Sequence, residues 1–359
     1  MNEILFLYNR QDEIAITGGQ KYEKFLFDTL NLNDRLSVER HYINKIKTWL
    51  DKLFAPLTNL SQLSYAKKFD IVIFNSSECC YLLLLSWVVH FLYRKKIWII
   101  HHHFIYLDFS GAKRIFYHFV EWLFLCSADR LIIPSPYIRD CCKQRFPRKS
   151  ILFWEIPFDR CAKELKSNPH KGQLLYIGTI EHRKGLIYLL EALRELNQAE
   201  FYYPLTIVGK TVNRSYRQLL DEKIATYQLD VRFTGYLTTE QKNQIIAESD
   251  VFVFPSLLEG YGMVLCETMM FGLPVICFDN SAMPYTVTNQ KNGILVENKN
   301  VQQLANAIRT IVEDRQLRNR LSKGAKTYVS KLPSHEIFRQ HIHAELSDLL
   351  KVDLDSQKY

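Results

Sequence analysis

The chain has 359 residues, of which 47% are hydrophobic and 23% are charged. This balance excludes a disordered or collagen-like chain, and the length suggests two domains. The net charge is +8, and residues 1–160 hold 22 lysines and arginines against 16 aspartates and glutamates. A basic first half favours an anionic partner such as a nucleotide, a nucleic acid or a lipid surface, although the same charge is ordinary for a domain of this size.

The cysteine content and the apolar runs predict a cytosolic protein. The eight cysteines include no C-x-x-C spacing, which argues against a disulfide scaffold and a structural zinc site. The first residues, MNEILFLYNR, have a short apolar run without a basic leader, so we expect no signal peptide. The most apolar stretch, residues 81–92, is shorter than the ~20 residues of a membrane span and predicts a buried helix.

Short runs rich in Val, Ile, Leu and Phe alternate with helix-length segments along the chain. Such runs are typical of parallel strands buried on both faces, so the pattern predicts an α/β fold. The strands predicted in the first half are Ile4–Tyr8, Ile71–Phe74, Ile97–Ile100, Arg130–Ile133 and Ile151–Trp154. Those predicted in the second half are Leu174–Ile177, Leu205–Val208, Val231–Thr234, Val251–Phe254 and Val275–Phe278.

The predicted domain boundary lies at residues 157–172, which contain prolines and charges but no periodic apolar pattern. Rossmann-like domains are predicted on either side, over residues 1–156 and 173–334. An amphipathic helix is expected from His335 to Leu350, followed by a frayed polar tail at 351–359.

Two further segments, 41–54 and 113–125, carry apolar residues at helical spacing together with basic residues. Each is consistent with a helix facing the core or with an interfacial helix that binds anionic lipid headgroups. The sequence contains no nucleic-acid recognition motif, so we expect no nucleic acid as partner.

Candidate site residues follow two of the predicted strands, because ligands of open α/β sheets bind at the carboxyl ends of the strands. After Leu174–Ile177 comes GTIEHRKG, in which Gly178 allows a close turn and Arg183 and Lys184 precede an apolar helix. Cations beside a helix N-terminus suit a diphosphate, although a turn with solvated cations has the same pattern.

The segment FPSLLEGYGMVLCETMMFGLPVI, residues 254–276, is the most informative in the chain. Glu259 lies in a turn before Gly260 and Gly262, whose backbone can approach a ligand. A helix is predicted from Met263, with Glu267 about one turn inside it. Carboxylates accept hydrogen bonds from vicinal hydroxyls, so two of them at this spacing can grip different parts of one sugar-containing ligand.

This segment resembles the donor-site motif of the family 4 glycosyltransferases, which are retaining, nucleotide-sugar-dependent enzymes. Their GT-B fold has two Rossmann-like domains facing a central cleft and a C-terminal helix that crosses back to the first domain. The segments GTIEHRKG, RFTGYLT and NGILVEN resemble other parts of the family pattern. Gly18-Gly19 and a histidine after Ile97–Ile100 match it more loosely. The sequence departs from the pattern at Thr179, where many members have Arg, and at Tyr285, where many have Glu.

The resemblance implies a role for each matching residue. Glu259 positions the donor sugar or stabilises positive charge at its anomeric carbon, and Glu267 holds the ribose hydroxyls. Lys184, with Arg183 beside it, neutralises the diphosphate leaving group. One of His101 and His102 contacts the donor sugar, and the remaining predicted donor-binding residues are Gly18, Gly19, Gly178, Gly260, Tyr261, Gly262, Met263 and Val264.

The activity implied is hexosyl transfer from a nucleoside diphosphate sugar to a glycan or lipid-linked saccharide, in the synthesis of cell-surface polysaccharide or glycoconjugate. The diphosphate departs and the acceptor attacks on the same face, without a protein nucleophile. The resemblance implies no cofactor and no metal, because the family lacks the Asp-x-Asp metal site of other glycosyltransferases, and we expect no such site here. A lipid-linked acceptor would bring the protein to the inner face of the cell membrane. The alternatives are a nucleotide-sugar epimerase of the same fold and an inert subunit that stabilises a partner enzyme.

Overall fold

A computed structural model describes residues 2–8, 17–43, 55–159 and 172–356. The chain divides into two compact units, the first comprising Met1–Pro157 and His335–Tyr359, the second Phe158–Ser334. Of the predicted linker 157–172, residues 160–171 lie outside the described residues.

The first unit contains a parallel sheet flanked by helices. Its described strands are β1 (Asn2–Tyr8), β2 (Leu36–Tyr42), β3 (Ile71–Asn75), β4 (Lys96–Ile100), β5 (Arg130–Ile133) and β6 (Ser150–Phe153). They are ordered β2-β1-β3-β4-β5-β6, and all neighbouring strands are parallel. The helices between them are α1 (Gly18–Asn31), α2 (Leu63–Ala66), α3 (Cys79–Phe91), α4 (Gly111–Cys126) and α5 (Pro136–Arg145).

The second unit repeats this architecture. Its described strands are β7 (Leu174–Ile177), β8 (Leu205–Val208), β9 (Val231–Gly235), β10 (Val251–Phe254), β11 (Val275–Phe278) and β12 (Gly293–Val296), in the order β12-β11-β10-β7-β8-β9. Its helices are α6 (Leu186–Gln198), α7 (Arg214–Tyr227), α8 (Thr239–Ala247), α9 (Met263–Met270), α10 (Met283–Thr286), α11 (Val301–Glu313) and α12 (Arg315–Val329).

The predicted fold class, two Rossmann-like domains with parallel sheets, is confirmed. Strands β7, β10 and β11 are buried along their whole length, as expected for parallel strands whose two faces are covered by crossover helices. Their bounds coincide with those predicted from the apolar runs.

The last helix, α13 (His335–Ser356), packs on the first unit rather than on the second. It buries Phe338, Ile342 and Leu346, which share one helical face. The indole N–H of Trp154 donates to a carboxylate oxygen of Glu345 on this helix at 2.6 Å. The prediction that the helix ends at Leu350 is wrong, because it continues to Ser356.

Two other predictions for the first unit need correction. Residues 41 and 42, assigned to a helix over 41–54, belong instead to β2, which pairs with β1; residues 44–54 lie outside the described residues. The predicted strands do not include β2, because its sequence LSVERHY has only two apolar residues among its first six and therefore no continuous apolar run.

The prediction of a buried helix over residues 81–92 is confirmed for the helix but is wrong for the burial of its C-terminal end. Helix α3 buries Leu82, Leu85 and Val89 against the core, whereas Phe91 and Leu92 are largely exposed. The sheet covers one side of the helix only. No helix in the described ranges is long and apolar enough to cross a membrane.

Candidate active site

Three loops of the second unit meet at one edge of its sheet. Strands β11, β10 and β7 are neighbours and parallel, so the loops that follow them emerge side by side. These loops are residues 178–185, 255–262 and 279–282. Two of them contain the candidate residues that the sequence assigns to the donor.

The loops 178–185 and 255–262 form one interlocked structure. The backbone N–H of Leu257 donates to the carbonyl of Arg183 at 2.8 Å, and the guanidinium of Arg183 donates to the carbonyl of Leu258 at 2.7 Å. Gly185 has φ +67°, and a Cβ built there would lie 1.9 Å from the carbonyl oxygen of Pro255. Only glycine fits at that crossing, both because of its backbone conformation and because of the close approach.

Lys184 and Glu259 form an ion pair where these two loops cross. The same carboxylate oxygen of Glu259 accepts a hydrogen bond from Ser256 Oγ at 2.7 Å and lies 3.7 Å from Arg183 Nη1. Burial alone would raise the pKa of Glu259, but Lys184, Arg183 and the Ser256 hydroxyl outweigh it and hold that pKa below its ordinary value. Glu259 is therefore a largely buried, ionised carboxylate that fixes the ammonium of Lys184.

The third loop supports Glu259 from the other side. Its Ser281 Oγ accepts the backbone N–H of Glu259 at 3.0 Å, and the amide of Asn280 donates to the carbonyl of Ser256 at 3.1 Å. Ser281 has φ +44°, so this turn is held in a conformation that residues other than glycine seldom adopt. The backbone around Glu259 is thus fixed by contacts from two neighbouring loops.

Helix α9 begins at Met263, as predicted, after Gly262 in the left-handed conformation at φ +81°. Within the described residues, no side chain caps this N-terminus. The first backbone N–H groups, including those of Met263 and Val264, are of the kind that binds anions. Tyr261, in contrast, is buried and packs on Phe158 at 5.9 Å between ring centroids.

Glu267 lies on α9 and forms an ion pair with Lys242 of α8, with 2.5 Å between Lys242 Nζ and Glu267 Oε2. The side chains of both remain partly exposed. The structure therefore places Glu267 next to a cation that the sequence reasoning did not consider.

Gly178 lies at the end of β7, and its backbone N–H donates to the carbonyl of Val208 at 2.9 Å. A Cβ at this position would lie 2.7 Å from the hydroxyl oxygen of Tyr176. The glycine therefore makes room for a buried tyrosine below the loop.

In the first unit, Gly18 and Gly19 are not in a loop but form the first turn of α1. The N-cap is Thr17, which exchanges hydrogen bonds with Gln20 in a capping box. A Cβ on Gly19 would lie 3.7 Å from the ring of His102, an ordinary contact distance. The start of α1 and the end of β4 are thus neighbours.

The two candidate histidines have different environments. His101 is fully buried, its Nδ1 lies 2.9 Å from Ser76 Oγ, and its ring packs on Phe104. Burial lowers the pKa of His101 well below its ordinary value, so its ring is neutral. His102 is partly exposed, and its Nε2 lies 2.9 Å from Glu23 Oε1. The structure therefore favours His102 over His101 as a ligand contact.

Sequence reasoning missed Glu23, which contacts His102, and Asn75, which in turn contacts Glu23. Glu23 is buried on α1. Its Oε1 accepts a hydrogen bond from the side-chain amide of Asn75, the last residue of β3. Among the described residues, Glu23 Oε2 has no hydrogen-bond partner although it is buried. Asn75 ends a strand, and Glu23 comes one helical turn after Gly19. The rule that sites lie at strand ends could therefore have found Asn75, but not Glu23, which contacts His102 from a helix.

No group of histidine, cysteine, aspartate and glutamate side chains in the described ranges is arranged to hold a metal ion. The expectation of a metal-independent reaction stays a prediction.

Comparison with known proteins identifies the class of the second unit. Residues 158–328 match the family model of the group 1 glycosyl transferases. These residues make up nearly all of the second unit, which is therefore similar to a group 1 glycosyl transferase domain. The prediction that the protein is an enzyme, a glycosyltransferase, is confirmed; the family 4 assignment and the retaining mechanism stay predictions.

Individual relatives agree with this class. The O-antigen chain mannosyltransferase B of Escherichia coli is 30% identical over 151 residues, which cover 40% of this chain and 38% of that protein. A sucrose-phosphate synthase from Thermosynechococcus elongatus has a TM-score of 0.78 at 20% identity, over 98% of this chain and all of that chain. HepE from Anabaena, solved with UDP-glucose, has a TM-score of 0.73 at 19% identity, over 97% of this chain and all of that chain. At these identities the structural matches show the fold.

Proposed function

We propose that the protein transfers a hexosyl residue from a nucleoside diphosphate sugar to a glycan or lipid-linked saccharide, with retention at the anomeric carbon. The observation that carries the proposal is the Lys184–Glu259 ion pair at the crossing of two strand-end loops of a domain similar to the group 1 glycosyl transferases. It fixes a cation beside a largely buried carboxylate at the edge of the sheet where ligands of such folds bind.

In this proposal the diphosphate binds between Lys184, Arg183 and the N-terminus of α9. The bond between the anomeric carbon and the diphosphate oxygen breaks, and its electron pair goes to the diphosphate. The negative charge that develops there is stabilised by both cations and by the backbone N–H groups of Met263 and Val264. Lys184 is held by Glu259 before the donor arrives, so little reorganisation is required as the charge develops.

The sugar and the ribose are held by carboxylates. Glu259 lies on the sugar side of the diphosphate, where its ionised oxygen stabilises an oxocarbenium-like anomeric carbon or positions a sugar hydroxyl. Glu267 accepts hydrogen bonds from the ribose hydroxyls and keeps its ion pair with Lys242. Gly260 and Gly262 bring the backbone close to the donor, and no further cofactor is needed.

The first unit is proposed to bind the acceptor, while Gly18, Gly19 and His102 at the carboxyl edge of its sheet keep the donor-contacting roles that the resemblance implies. The likeness to HepE makes UDP-glucose the first donor to test. The likeness to an O-antigen mannosyltransferase supports a role in cell-surface polysaccharide or glycoconjugate synthesis. A lipid-linked acceptor would place the protein on the cytoplasmic face of a membrane.

The test is incubation of the purified protein with a panel of nucleoside diphosphate sugars, with and without saccharide acceptors. Release of nucleoside diphosphate and the anomeric configuration of the product, measured by NMR, are the readouts. Conversion of the donor to an isomer without acceptor would identify an epimerase. Neither binding nor turnover of any donor would point to an inert subunit, and an inverted product would refute retention.

A further inference from the structure

The outward side of α4 is apolar where a surface helix is normally polar. Ile115, Phe116, Phe119 and Trp122, which we call the α4 face, are between 46% and 74% exposed. Their spacing of one, three and three residues places them on one side of the helix. A helix packed on a core usually turns charged residues to solvent on this side, so an apolar stripe here indicates an interaction surface.

The core of the first unit does not require these residues. Helix α4 already buries Val120, Phe124 and Leu125 on its inward side. The neighbouring α3 is joined to its end by a hydrogen bond from Ser127 to Ser86, and this helix also exposes an aromatic side chain, Phe91. Exposed aromatic side chains therefore occur on two adjacent helices.

The exposed charges on α4 itself have one sign. Lys113 and Arg114 are exposed in the first turn of the helix. The only acidic residue of α4, Glu121, is buried and accepts the backbone N–H of Ile105 at 3.0 Å. The exposed part of α4 thus combines aromatic rings with cations and presents no carboxylate to solvent.

We propose that the α4 face, with Lys113 and Arg114, binds the surface of an anionic lipid bilayer. Aromatic side chains prefer the headgroup region, and lysine and arginine are attracted to anionic lipids. A second copy of the chain is a poorer occupant, because α4 exposes no carboxylate with which Lys113 and Arg114 of the other copy could pair. The inference rests on the proposed function in one respect, since a lipid-linked acceptor lies in such a bilayer.

The test is flotation of the full-length protein with vesicles of phosphatidylcholine containing about 30 mol% phosphatidylglycerol, or none. The test variant is Phe116→Gln, Phe119→Gln and Trp122→Gln together. The matched control is Leu32→Gln, Tyr202→Gln and Ile337→Gln, which removes three side chains of similar exposure, 57–69%, from other surfaces. A third variant, Lys113→Gln with Arg114→Gln, tests the charge.

We expect wild type and the control variant to float with anionic vesicles at low salt, and less so as salt rises. The aromatic variant should lose at least about tenfold in bound fraction, given the apolar area removed, and the charge variant should bind anionic and neutral vesicles equally. Donor hydrolysis without vesicles should be the same in all four proteins. Equal flotation of the wild type and the aromatic variant would overturn the inference. It would also be overturned if neither protein floated and light scattering showed a dimer for the wild type but a monomer for the aromatic variant. Absence of donor hydrolysis by the wild type would instead refute the proposed function.

Discussion

Lys184 and Glu259 are 75 residues apart in the sequence, yet their side chains form an ion pair in the second unit. Each residue comes from a different strand-end loop, and Ser256 and Arg183 contact the same carboxylate oxygen. A diphosphate bound to Lys184 must therefore share the ammonium with Glu259. Roles that the sequence assigns separately, to a cation for the diphosphate and a carboxylate for the sugar, are physically coupled.

Replacement of Lys184 by alanine should abolish most of the activity. The leaving diphosphate loses a preorganised cation, and removal of one such group costs about 3–4 kcal/mol, or ~10²–10³ in kcat. Lys223→Ala is a matched control, because Lys223 forms a comparable ion pair with Glu191 on helices α7 and α6. Steady-state kinetics at saturating donor should show the loss in the first variant only. Near-normal turnover of Lys184→Ala would refute its assignment to the diphosphate.

Glu267 and Glu259 should differ in the step they affect. Glu267→Ala should weaken binding of free nucleoside diphosphate by ~10–100-fold, because hydrogen bonds to a charged group contribute about 1.5–3 kcal/mol. Glu259→Ala should mainly lower kcat, since the proposed function places its carboxylate beside the donor sugar. Calorimetry with UDP separates the two. Equal nucleotide affinity in both variants would contradict this division of roles.

Strands β7, β10 and β11 of the second unit could be predicted because burial on both faces makes each a continuous apolar run. Strand β10 reads VFVF and β11 reads VICF, and both have the predicted bounds. Strand β2 was not predicted because it lies at the edge of its sheet, where only part of its surface needs to be apolar. The exposed residues of α3 could not be predicted either, because composition alone does not show which side of an apolar helix is covered by the rest of the protein.

The candidate site was predictable as a set of residues but not as a set of contacts. Glycine, lysine and glutamate at strand ends indicate a ligand site, and Lys184 and Glu259 do lie together. Their ion pair depends on the order β11-β10-β7, which makes strands distant in sequence neighbours in space. The partners Lys242 of Glu267 and Glu23 of His102 depend in the same way on helix packing, which no local motif encodes.

Glu121 should make the protein less stable as pH rises. Burial raises its pKa to about 7, although the backbone N–H groups of Ile105 and Tyr106 act in the opposite direction. A carboxyl with a raised pKa binds its proton more tightly in the folded state. Its contribution to the free energy of unfolding is therefore full below about pH 4.5, falls between pH 4.5 and 7, and then levels off. The expected loss is on the order of 3 kcal/mol.

Urea unfolding at pH 5, 6 and 8 measures this effect. Glu121→Gln carries no titratable group there, so its unfolding free energy should fall less than that of wild type over this range. Glu222→Gln, a substitution of an exposed carboxylate on α7, is the control and should follow wild type. Parallel curves for wild type and Glu121→Gln would show that the Glu121 carboxyl does not titrate in this range.

Transfer activity should survive EDTA. Arg183, Lys184 and the N-terminus of α9 supply the positive charge that a metal would otherwise provide. The spacing Asp-x-Asp does occur at residues 353–355, but within helix α13 rather than at the end of a strand. Activity that disappears in EDTA and returns with Mn²⁺ or Mg²⁺ would contradict this prediction.

His101 and His102 should respond differently to substitution. His101→Ala leaves a cavity in a packed region and should lower the free energy of unfolding by about 2–4 kcal/mol. His102→Ala removes a partly exposed side chain and should change stability by less than about 1 kcal/mol. In steady-state kinetics, however, the His102 variant should lose more kcat per folded molecule, ~10–100-fold if its ring holds a substrate hydroxyl.

Glu23 is expected to act through His102, because its carboxylate oxygen is 2.9 Å from His102 Nε2 and is also held by Asn75. Glu23→Gln should therefore give part of the kcat loss of His102→Ala, and the double variant should be no slower than His102→Ala alone. Losses that are shared in this way mark residues working as one unit, whereas independent residues show additive free energies. Additive losses would mean that Glu23 contributes to turnover by a route other than the orientation of this histidine.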